Sequence, residues 1–265
     1  MDLGFKDKVA LVTGAGSQIG FGKEIALLFA KEGCARIALT DISEADVHLT
    51  AAAVEKLGAS VIAVKADITK KDEVAALAGK VINAFGKIDI LCNVAGAILH
   101  KDNVPLDEQD EVVWARQIEL NLFGTMKLTR AVLPQMRRQK YGVVVNIGSG
   151  STHQYTMGVG MYAMSKYAID LFTKQLAMVE AKNGIRVNCV APGPANTNFG
   201  SILREGQPPQ TEEQRKAGRE AMARAMPLGR IGTPADIAYA TAFLASEVTG
   251  YVTGQVFHVS GGSVM

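Results

Sequence analysis

A tyrosine and a lysine one helical turn apart are the residues in this sequence best able to do chemistry together. They are Tyr162 and Lys166 in the stretch YAMSK, and a separation of four places both side chains on one face of a helix. A phenol with a pKa of about 10 is a poor base at neutral pH. A neighbouring ammonium stabilises the phenolate, and lowering the pKa by about three units requires roughly 4 kcal/mol. The pair therefore indicates a tyrosine that gives and takes a proton.

A glycine-rich segment, TGAGSQIGFGKEIA at residues 13–26, follows an apolar run near the start of the sequence. A loop between a strand and a helix can bind a pyrophosphate, because its unpaired backbone N–H groups and the helix dipole both attract an anion. The apolar run ends at Thr13. We therefore expect Gly14 to be the turn residue of a dinucleotide-binding loop.

An acidic residue stands where such a fold binds a ribose. Asp41 follows the apolar run RIALT and comes 19 residues after Gly22, and an acidic residue about 20 positions beyond the last glycine holds ribose hydroxyls. Its carboxylate accepts hydrogen bonds from a diol and repels a 2′-phosphate. No Arg or Lys stands at position 42 or in the loop before Gly22. The sequence thus favours NAD over NADP.

Repeated strand and helix units must position these residues. Short apolar runs alternate with amphipathic stretches, as in βαβ units around a parallel sheet that is buried on both faces. Strands are predicted at 8–13, 36–40, 60–65, 88–92, 142–147, 185–191 and 255–259. Helices are predicted at 22–32, 44–57, 71–85, 108–139 with a break, 162–182 and 234–246. The expected fold is α/β, a single Rossmann-type doubly wound domain with a seven-stranded parallel sheet flanked by helices.

One segment interrupts this regular alternation. Residues 194–230 are rich in Pro, Gly, Gln, Arg and Glu, with a short helical pattern near 211–225. Long insertions of this kind often form lids or substrate loops. A chain of 265 residues suits one large α/β domain, so we expect one domain over 1–265, with a substrate loop at about 194–230.

The chain resembles the classical short-chain dehydrogenases/reductases, whose usual TGxxxGxG pattern precedes a helix of the form xxIAxxFAxxGA. The stretch IALLFAKEGC fits that helix when Gly22 is the last glycine, so Gly20 and Gly22 form the GxG and the loop is two residues longer. The rival alignment places Gln18 at a glycine position and shifts the helix by two residues. That shift rotates the apolar face by about 200°, so we prefer the longer loop.

The resemblance extends the catalytic group beyond the tyrosine and the lysine. Ser149 precedes Tyr162 by 13 residues, as the family serine does. Ser151 precedes Tyr162 by 11 residues and is the alternative hydroxyl. Asn121 ends a WxxxxxxN pattern that the family also has. By resemblance, Tyr162 is the general acid/base and Ser149 binds the substrate oxygen. Lys166 holds the nicotinamide ribose and lowers the pKa of Tyr162, and Asn121 supports a water chain.

The resemblance also implies the contacts to the cofactor, which we expect to be NAD. The motif KADIT supplies an Asp beside the adenine, NVAG matches the family NNAG with a Val for the second Asn, and APGPANT supplies a Thr for the carboxamide. The expected contacts are Gly14, Ser17, Gln18, Ile19, Gly20, Asp41, Asp67, Ile68, Asn93, Ala95, Gly96, Tyr162, Lys166, Pro192, Gly193 and Thr197.

The implied activity is reversible hydride transfer between a secondary alcohol and a ketone. A 3-oxoacyl-thioester reductase, acting on acyl carrier protein or CoA esters, is the alternative, and a non-catalytic dinucleotide-binding regulatory protein is a further one. Enoyl-thioester reductases also have lengthened glycine loops, but six residues separate their Tyr and Lys rather than three. Neither Tyr155 nor Tyr162 has a Lys seven positions on, which argues against C=C reduction.

Two histidines and several apolar residues are further candidates for the substrate side. His153 follows Ser149 by four residues, and His100 follows Gly96 by four. An apolar pocket could be formed by Met157, Met161, Met164, Phe199, Ile202 and Leu203.

Composition limits the partners. A net charge of +2 without a basic stripe argues against nucleic acid, and neither a secretion leader nor an apolar run of about 18 residues is found, so we expect no membrane association. Three widely spaced cysteines indicate reduced thiols in a cytoplasmic protein. The expected partner is a small-molecule alcohol or ketone, and the resemblance implies a homotetramer.

Overall fold

The computed structural model describes residues 2–99, 105–153, 159–199 and 211–265. Its strands are β1 (Val9–Thr13), β2 (Arg36–Asp41), β3 (Ser60–Lys65), β4 (Ile90–Asn93), β5 (Gly142–Ile147), β6 (Ile185–Pro192) and β7 (Val256–Val259). They form one parallel sheet in the order β3-β2-β1-β4-β5-β6-β7. The predicted seven-stranded parallel sheet is confirmed, and the predicted strand ends lie within about two residues of the observed ones.

The described helices are α1 (Phe21–Lys31), α2 (Glu44–Glu55), α3 (Lys71–Phe85), α4 (Glu111–Ile118), α5 (Thr125–Gln139), α6 (Gly160–Glu180), α7 (Glu212–Ala225) and α8 (Pro234–Ala245). The break predicted within 108–139 is a π-helical turn, Glu119–Gly124, between α4 and α5. The Ser43 and Thr233 side chains accept hydrogen bonds from backbone N–H groups at the starts of α2 and α8, which satisfies donors that a helix start otherwise leaves unpaired. No helix in the described ranges is long and apolar enough to cross a membrane.

Helices cover both faces of the sheet, so β1, β4 and β5 are buried along their whole length. One buried cluster joins Ile25 and Phe29 of α1 to Ile237 of α8. A second cluster lies on the other face and joins Leu77 of α3 to Leu128 of α5. The strand order reverses between β1 and β4, and ligands of doubly wound folds bind outside the carboxyl ends of the strands at that point.

Candidate active site

A cavity of about 510 Å³ lies at this point of the fold. Its walls come from the loop after β1, the residues that follow β2, β3 and β4, and residues 197–199 after β6. These are the carboxyl ends of five parallel strands. The cavity is therefore where the topology predicts a dinucleotide.

The glycine loop has the longer form that the helix pattern predicts. Helix α1 begins at Phe21 with Gly20 as its N-cap residue, so the helix does not start before Gly20. Gly14 has φ +64°, and a Cβ built on Gly22 would lie 2.4 Å from the Gly14 carbonyl oxygen. Only glycine fits at these two positions, because a side chain would be strained at the first and would collide with backbone at the second.

The two-residue extension turns away from the cavity. Ser17 and Gly20 line the wall, whereas Gln18 and Ile19 do not. The Gln18 side-chain amide donates to the Gly16 carbonyl oxygen at 2.7 Å, and Ile19 is 49% exposed. The Gln18 and Ile19 side chains therefore lie off the cavity wall, and a contact of these residues with the cofactor, through backbone or side chain, stays a prediction.

The carboxylate of Asp41 lines the cavity next to the glycine loop. Its Oδ2 accepts a hydrogen bond from the Gly16 N–H at 2.8 Å, and its Oδ1 accepts one from the Ser43 N–H at 3.1 Å. Asp67 and Ile68 line the neighbouring wall. The structure thus brings together the three side chains predicted for the adenosine end.

Thr13 is a positioning residue that the sequence pattern does not reveal. Its hydroxyl oxygen accepts hydrogen bonds from the N–H groups of Val94 and Ala95, both at 2.9 Å. This fixes the loop after β4 against the end of β1, so that Ala95 and Gly96 line the cavity. In the sequence, the sign of this positioning role is a hydroxyl residue directly before Gly14. By itself that residue indicates only the end of a strand.

Asn93 has a structural position that differs from its expected role. Its side chain is buried below the cavity wall and donates to Thr129 Oγ1 at 3.0 Å and to Asn146 Oδ1 at 2.9 Å. Both side-chain donors are therefore used within the core. The side chain of Asn93 is thus an anchor that joins β4 to β5 and α5, and a contact of this residue with the cofactor stays a prediction.

Three of the predicted catalytic side chains meet next to two residues of the cavity wall, Gly96 and Phe199, although none of the three lines the wall itself. Tyr162 and Lys166 lie on one face of α6, with the lysine Nζ 5.8 Å from the centre of the tyrosine ring. Ser149 follows β5 and forms a side-chain hydrogen bond with Tyr162. Ser151 donates to Ser149 Oγ at 2.8 Å, so the alternative hydroxyl stands behind Ser149. All three catalytic side chains are at least nine-tenths buried.

Burial controls the protonation of this group. It raises the pKa of Tyr162 to about 12, although the hydrogen bond from Ser149 acts in the opposite direction. It also lowers the pKa of Lys166 to about 8. The ammonium of Lys166 donates to the Ile147 carbonyl oxygen at 2.8 Å, and desolvation of the phenolate dominates the pKa of Tyr162 in this structure. The lowering of the Tyr162 pKa by Lys166 stays a prediction.

Asn121 lies within the π-helical turn and is completely buried. Its Nδ2 donates to the Ala97 carbonyl oxygen at 2.9 Å, and the Ala97 N–H donates back to Oδ1 at 3.0 Å. It also donates to Ser165 on α6 at 3.2 Å. Single π-helical turns are frequent at functional sites, and this one joins the loop after β4 to the helix that carries Tyr162.

The segment after β6 closes the catalytic end. Thr197 and Phe199 line the cavity, and the Phe199 ring centre lies 5.5 Å from that of Tyr162. Pro192 and Gly193 lie beside Gly150 instead and are not part of the wall. Of the predicted contacts in this motif, the structure therefore brings only Thr197 to the cavity.

His153 lies away from the main cavity. It lines a second cavity of about 270 Å³ with Asp170, Lys174 and His258, and its ring packs edge-on against His258 at 4.8 Å. The expectation that His153 faces the substrate is therefore not met. Met164 is exposed on α6. Four other predicted residues lie outside the described residues, namely His100, Met157, Ile202 and Leu203.

Within the described part of the chain, no group of three or more His, Cys, Asp or Glu side chains could hold a metal ion. Glycine backbone and a neighbouring carboxylate in the cavity wall, with a buried acid/base group nearby, fit a dinucleotide. The fold and these residues define a dinucleotide-binding α/β protein with a buried proton-transfer group.

Comparisons with known proteins agree with this description. A family model described as enoyl-(acyl carrier protein) reductase matches residues 14–263. The 3-oxoacyl-(acyl-carrier-protein) reductase FabG of Thermotoga maritima is 37% identical over 258 residues, covering 97% of this chain and 98% of that protein. The 7alpha-hydroxysteroid dehydrogenase of Escherichia coli is 34% identical over 258 residues, with coverages of 97% and 94%.

The fold also matches a solved structure of a relative. A 7alpha-hydroxysteroid dehydrogenase complexed with NADH and 7-oxo glycochenodeoxycholic acid superimposes with a TM-score of 0.87 at 33% identity, covering 99% of this chain and 96% of that chain. The chain belongs to the classical short-chain dehydrogenase/reductase family. It is an oxidoreductase of that family, and both the predicted family and the predicted Rossmann-type fold are confirmed.

Proposed function

We propose that the protein interconverts a secondary alcohol and a ketone with NAD(H), using Tyr162 as the general acid/base. The observation that carries the proposal is the buried group of Ser149, Tyr162 and Lys166 beside the cavity. The nicotinamide supplies or accepts the hydride when it is bound. The residues of the chain bind the reactants, orient the carbonyl and move the proton.

In ketone reduction Tyr162 donates its proton to the carbonyl oxygen. Burial raises its pKa to about 12, so the phenol is protonated at neutral pH and is ready to act as the acid. Ser149 holds the same oxygen by a hydrogen bond. In alcohol oxidation the proton moves the other way: the Tyr162 phenolate accepts the alcohol proton and becomes phenol. The buried ammonium of Lys166, near the tyrosine ring, stabilises the phenolate that acts as the base.

The remaining predicted roles complete the proton path and the binding of the cofactor. Asn121 joins the loop after β4 to α6, which suits a residue that supports a water chain beside Lys166. Asp41 at the end of the cavity suits the ribose hydroxyls and opposes a 2′-phosphate. Both of these properties of Asp41 favour NAD, and the related dehydrogenase structure contains NADH.

A 3-oxoacyl-thioester reductase is the second candidate, because FabG of Thermotoga maritima is 37% identical to this chain. Such a substrate is also a ketone, so the same residues serve both reactions. Reduction of a C=C bond is disfavoured although the matching family model is described as an enoyl reductase. The chain has only three residues between Tyr162 and Lys166, whereas enoyl-thioester reductases resembling it have six.

The chain is proposed to act as one domain, with residues 194–230 as the substrate loop. Thr197 and Phe199 support this, since they carry the start of that segment to the cavity beside Tyr162. A small alcohol or ketone is the proposed partner. Three buried free thiols, Cys34, Cys92 and Cys189, favour the cytoplasm as the location.

A homotetramer is proposed for the assembly. Large apolar side chains are exposed along the surface formed by α4, the π-helical turn, α5 and α6, namely Val112, Phe123, Met126, Met164, Tyr167, Leu171 and Met178. An apolar surface of this extent is typical of an interface. Light scattering coupled to gel filtration tests this proposal, and a mass equal to four chains is expected.

The proposed function is tested by a panel of secondary alcohols and ketones, with 3-oxoacyl and enoyl thioesters included. Nicotinamide absorbance is followed in both directions with NAD(H) and NADP(H) in parallel. We expect turnover of a ketone class with a higher kcat/KM for NADH than for NADPH. Binding of NADH without turnover anywhere on the panel would instead indicate a non-catalytic regulatory protein.

A further inference from the structure

The lengthened glycine loop is hydrogen-bonded to Asp41, the residue expected to bind the ribose hydroxyls. The Gly16 N–H donates to Asp41 Oδ2 at 2.8 Å. A Cβ built on Gly16 would lie 2.6 Å from Asp41 Cγ, so the carboxylate packs directly on the glycine backbone. The position of this carboxylate therefore depends on the path of the extended loop.

Gln18 fixes that path from the other side. Its Nε2 donates to the Gly16 carbonyl oxygen at 2.7 Å and to the Asp46 carbonyl oxygen of α2 at 3.1 Å. Thr50 of α2 donates to the Ala15 carbonyl oxygen at 2.7 Å. The Ala15 carbonyl group is thus tied to α2 directly, and the Gly16 carbonyl group is tied to it through Gln18.

The same helix holds the second oxygen of the carboxylate. The Ser43 N–H, at the N-cap of α2, donates to Asp41 Oδ1 at 3.1 Å. The loop, Asp41 and the start of α2 therefore form a closed hydrogen-bonded ring. Each carboxylate oxygen receives one backbone N–H and keeps a free lone pair, as many as two ribose hydroxyls need.

We propose that Gly16 and Gln18 are specificity-determining positioning residues, which hold the Asp41 carboxylate in the orientation that selects NAD over NADP. The inference rests on the proposed function. A carboxylate held by two N–H groups cannot rotate away from an approaching 2′-phosphate, so its negative charge stays where it repels that group. The extended loop supplies the restraint, and Asp41 supplies the charge.

The direct test is the variant Gly16→Ala, whose methyl group displaces the carboxylate. Dissociation constants of NADH and NADPH are measured by calorimetry, and KM and kcat are measured with the best substrate. We expect the NADH/NADPH selectivity to fall by about tenfold, the effect of weakening one charge-assisted hydrogen bond. The loss is expected in KM for NAD rather than in kcat.

Gly79→Ala is the matched control, because the same change on α3 meets nothing within 4 Å. It is expected to leave the selectivity unchanged. Gln18→Ala is a second variant that introduces no steric clash, and we expect about a threefold loss of selectivity from the removal of its neutral hydrogen bonds. Thermal unfolding of each variant shows whether it is folded before its selectivity is compared.

A double-mutant cycle with Asp41→Asn tests whether the loop acts through the carboxylate. If it does, Gly16→Ala has little further effect on selectivity in the Asp41→Asn protein, since the two changes are coupled. An equal loss of NADH and NADPH affinity in Gly16→Ala, or additive effects in the cycle, would overturn the inference while leaving the proposed function intact. A wild-type preference for NADPH would instead refute the proposed use of NAD.

Discussion

The two ends of the cavity have opposite effects on the charged forms of their side chains. At the adenosine end, the Asp41 carboxylate is half-buried and receives backbone N–H groups from Gly16 and Ser43. At the catalytic end, Lys166 and Tyr162 are buried, and burial moves the pKa of the lysine to about 8 and that of the tyrosine to about 12. One end stabilises a permanent charge, and the other destabilises the charged forms.

This difference separates recognition from chemistry. A residue that distinguishes NAD from NADP must keep its charge and its direction, and paired N–H donors provide both. The residue that moves the proton is Tyr162, and desolvation keeps its phenol protonated near neutral pH, ready to donate to a carbonyl oxygen. The following variants test the two ends separately, starting with the largest expected effect.

The variant Tyr162→Phe removes the acid/base group while keeping the ring that packs against Phe199. We expect kcat for ketone reduction to fall by about 10²- to 10⁴-fold, the range for loss of a positioned general acid. NADH affinity, measured by calorimetry, should change much less. Tyr167→Phe on the exposed face of the same helix is the matched control and should retain full activity. A loss of only a few-fold in Tyr162→Phe would refute the assignment of Tyr162 as the general acid/base.

The variant Asp41→Asn tests the adenosine end by removing the charge at nearly constant shape. We expect the ratio of kcat/KM for NAD to that for NADP to fall by about 10- to 100-fold, as hydrogen bonds to a charged group contribute about 1.5–3 kcal/mol. Asp72→Asn at the exposed start of α3 controls for the change in net charge. Unchanged selectivity in Asp41→Asn would show that the ribose is bound elsewhere.

The variant Lys166→Met tests the cost of the buried ammonium. The pKa of Lys166 is about 8 in the folded chain, against a reference value of 10.5. The unfolded chain therefore binds more protons between these two pH values. As a result, the free energy of unfolding of the wild type rises with pH through that window. The free energy of unfolding changes by at most about 3 kcal/mol across this window, and the full penalty of burying the ammonium is present below pH 8. Denaturant titrations at several pH values should show the gain in wild type and Lys174→Met but not in Lys166→Met. The same pH dependence in all three would contradict the assignment.

The smallest effect is expected at the second serine. Ser151 donates to Ser149 Oγ, whereas Ser149 is the serine hydrogen-bonded to Tyr162, so Ser151→Ala should lower kcat only by a few-fold, about the effect of one neutral hydrogen bond. Ser149→Ala is the comparison and should lower kcat far more. If the order of the two effects were reversed, Ser151 would be the hydroxyl that binds the substrate oxygen.

The sequence predicted the fold and the relation of Tyr162 to Lys166, because hydrophobic periodicity and fixed spacings determine both. It also predicted the longer loop, since the helix phase places Gly22 at the start of α1. It did not predict the directions of side chains such as Gln18, Asn93 and His153. Those depend on partners distant in the chain, such as Asp46 for Gln18 and Asn146 for Asn93.

At the catalytic end, burial explains the largest difference between the expectation from sequence and the structure. The spacing of Tyr162 and Lys166 indicates that a cation stands near a phenol, but it carries no information on how much water is removed from both. In the structure that loss of water outweighs the attraction and raises the pKa of the tyrosine. The number of buried neighbours is a property of the folded chain, so local sequence could not supply it.

The most direct test of the central claim follows the transferred hydride itself. The protein is given NADH deuterated at the transferred position and a ketone that also carries a conjugated C=C bond, and the product is examined by NMR. If the protein reduces the carbonyl group, deuterium appears on the carbinol carbon of an alcohol and the C=C bond stays intact. Deuterium on the β-carbon of a saturated ketone would contradict the central claim and would assign the protein to C=C reduction.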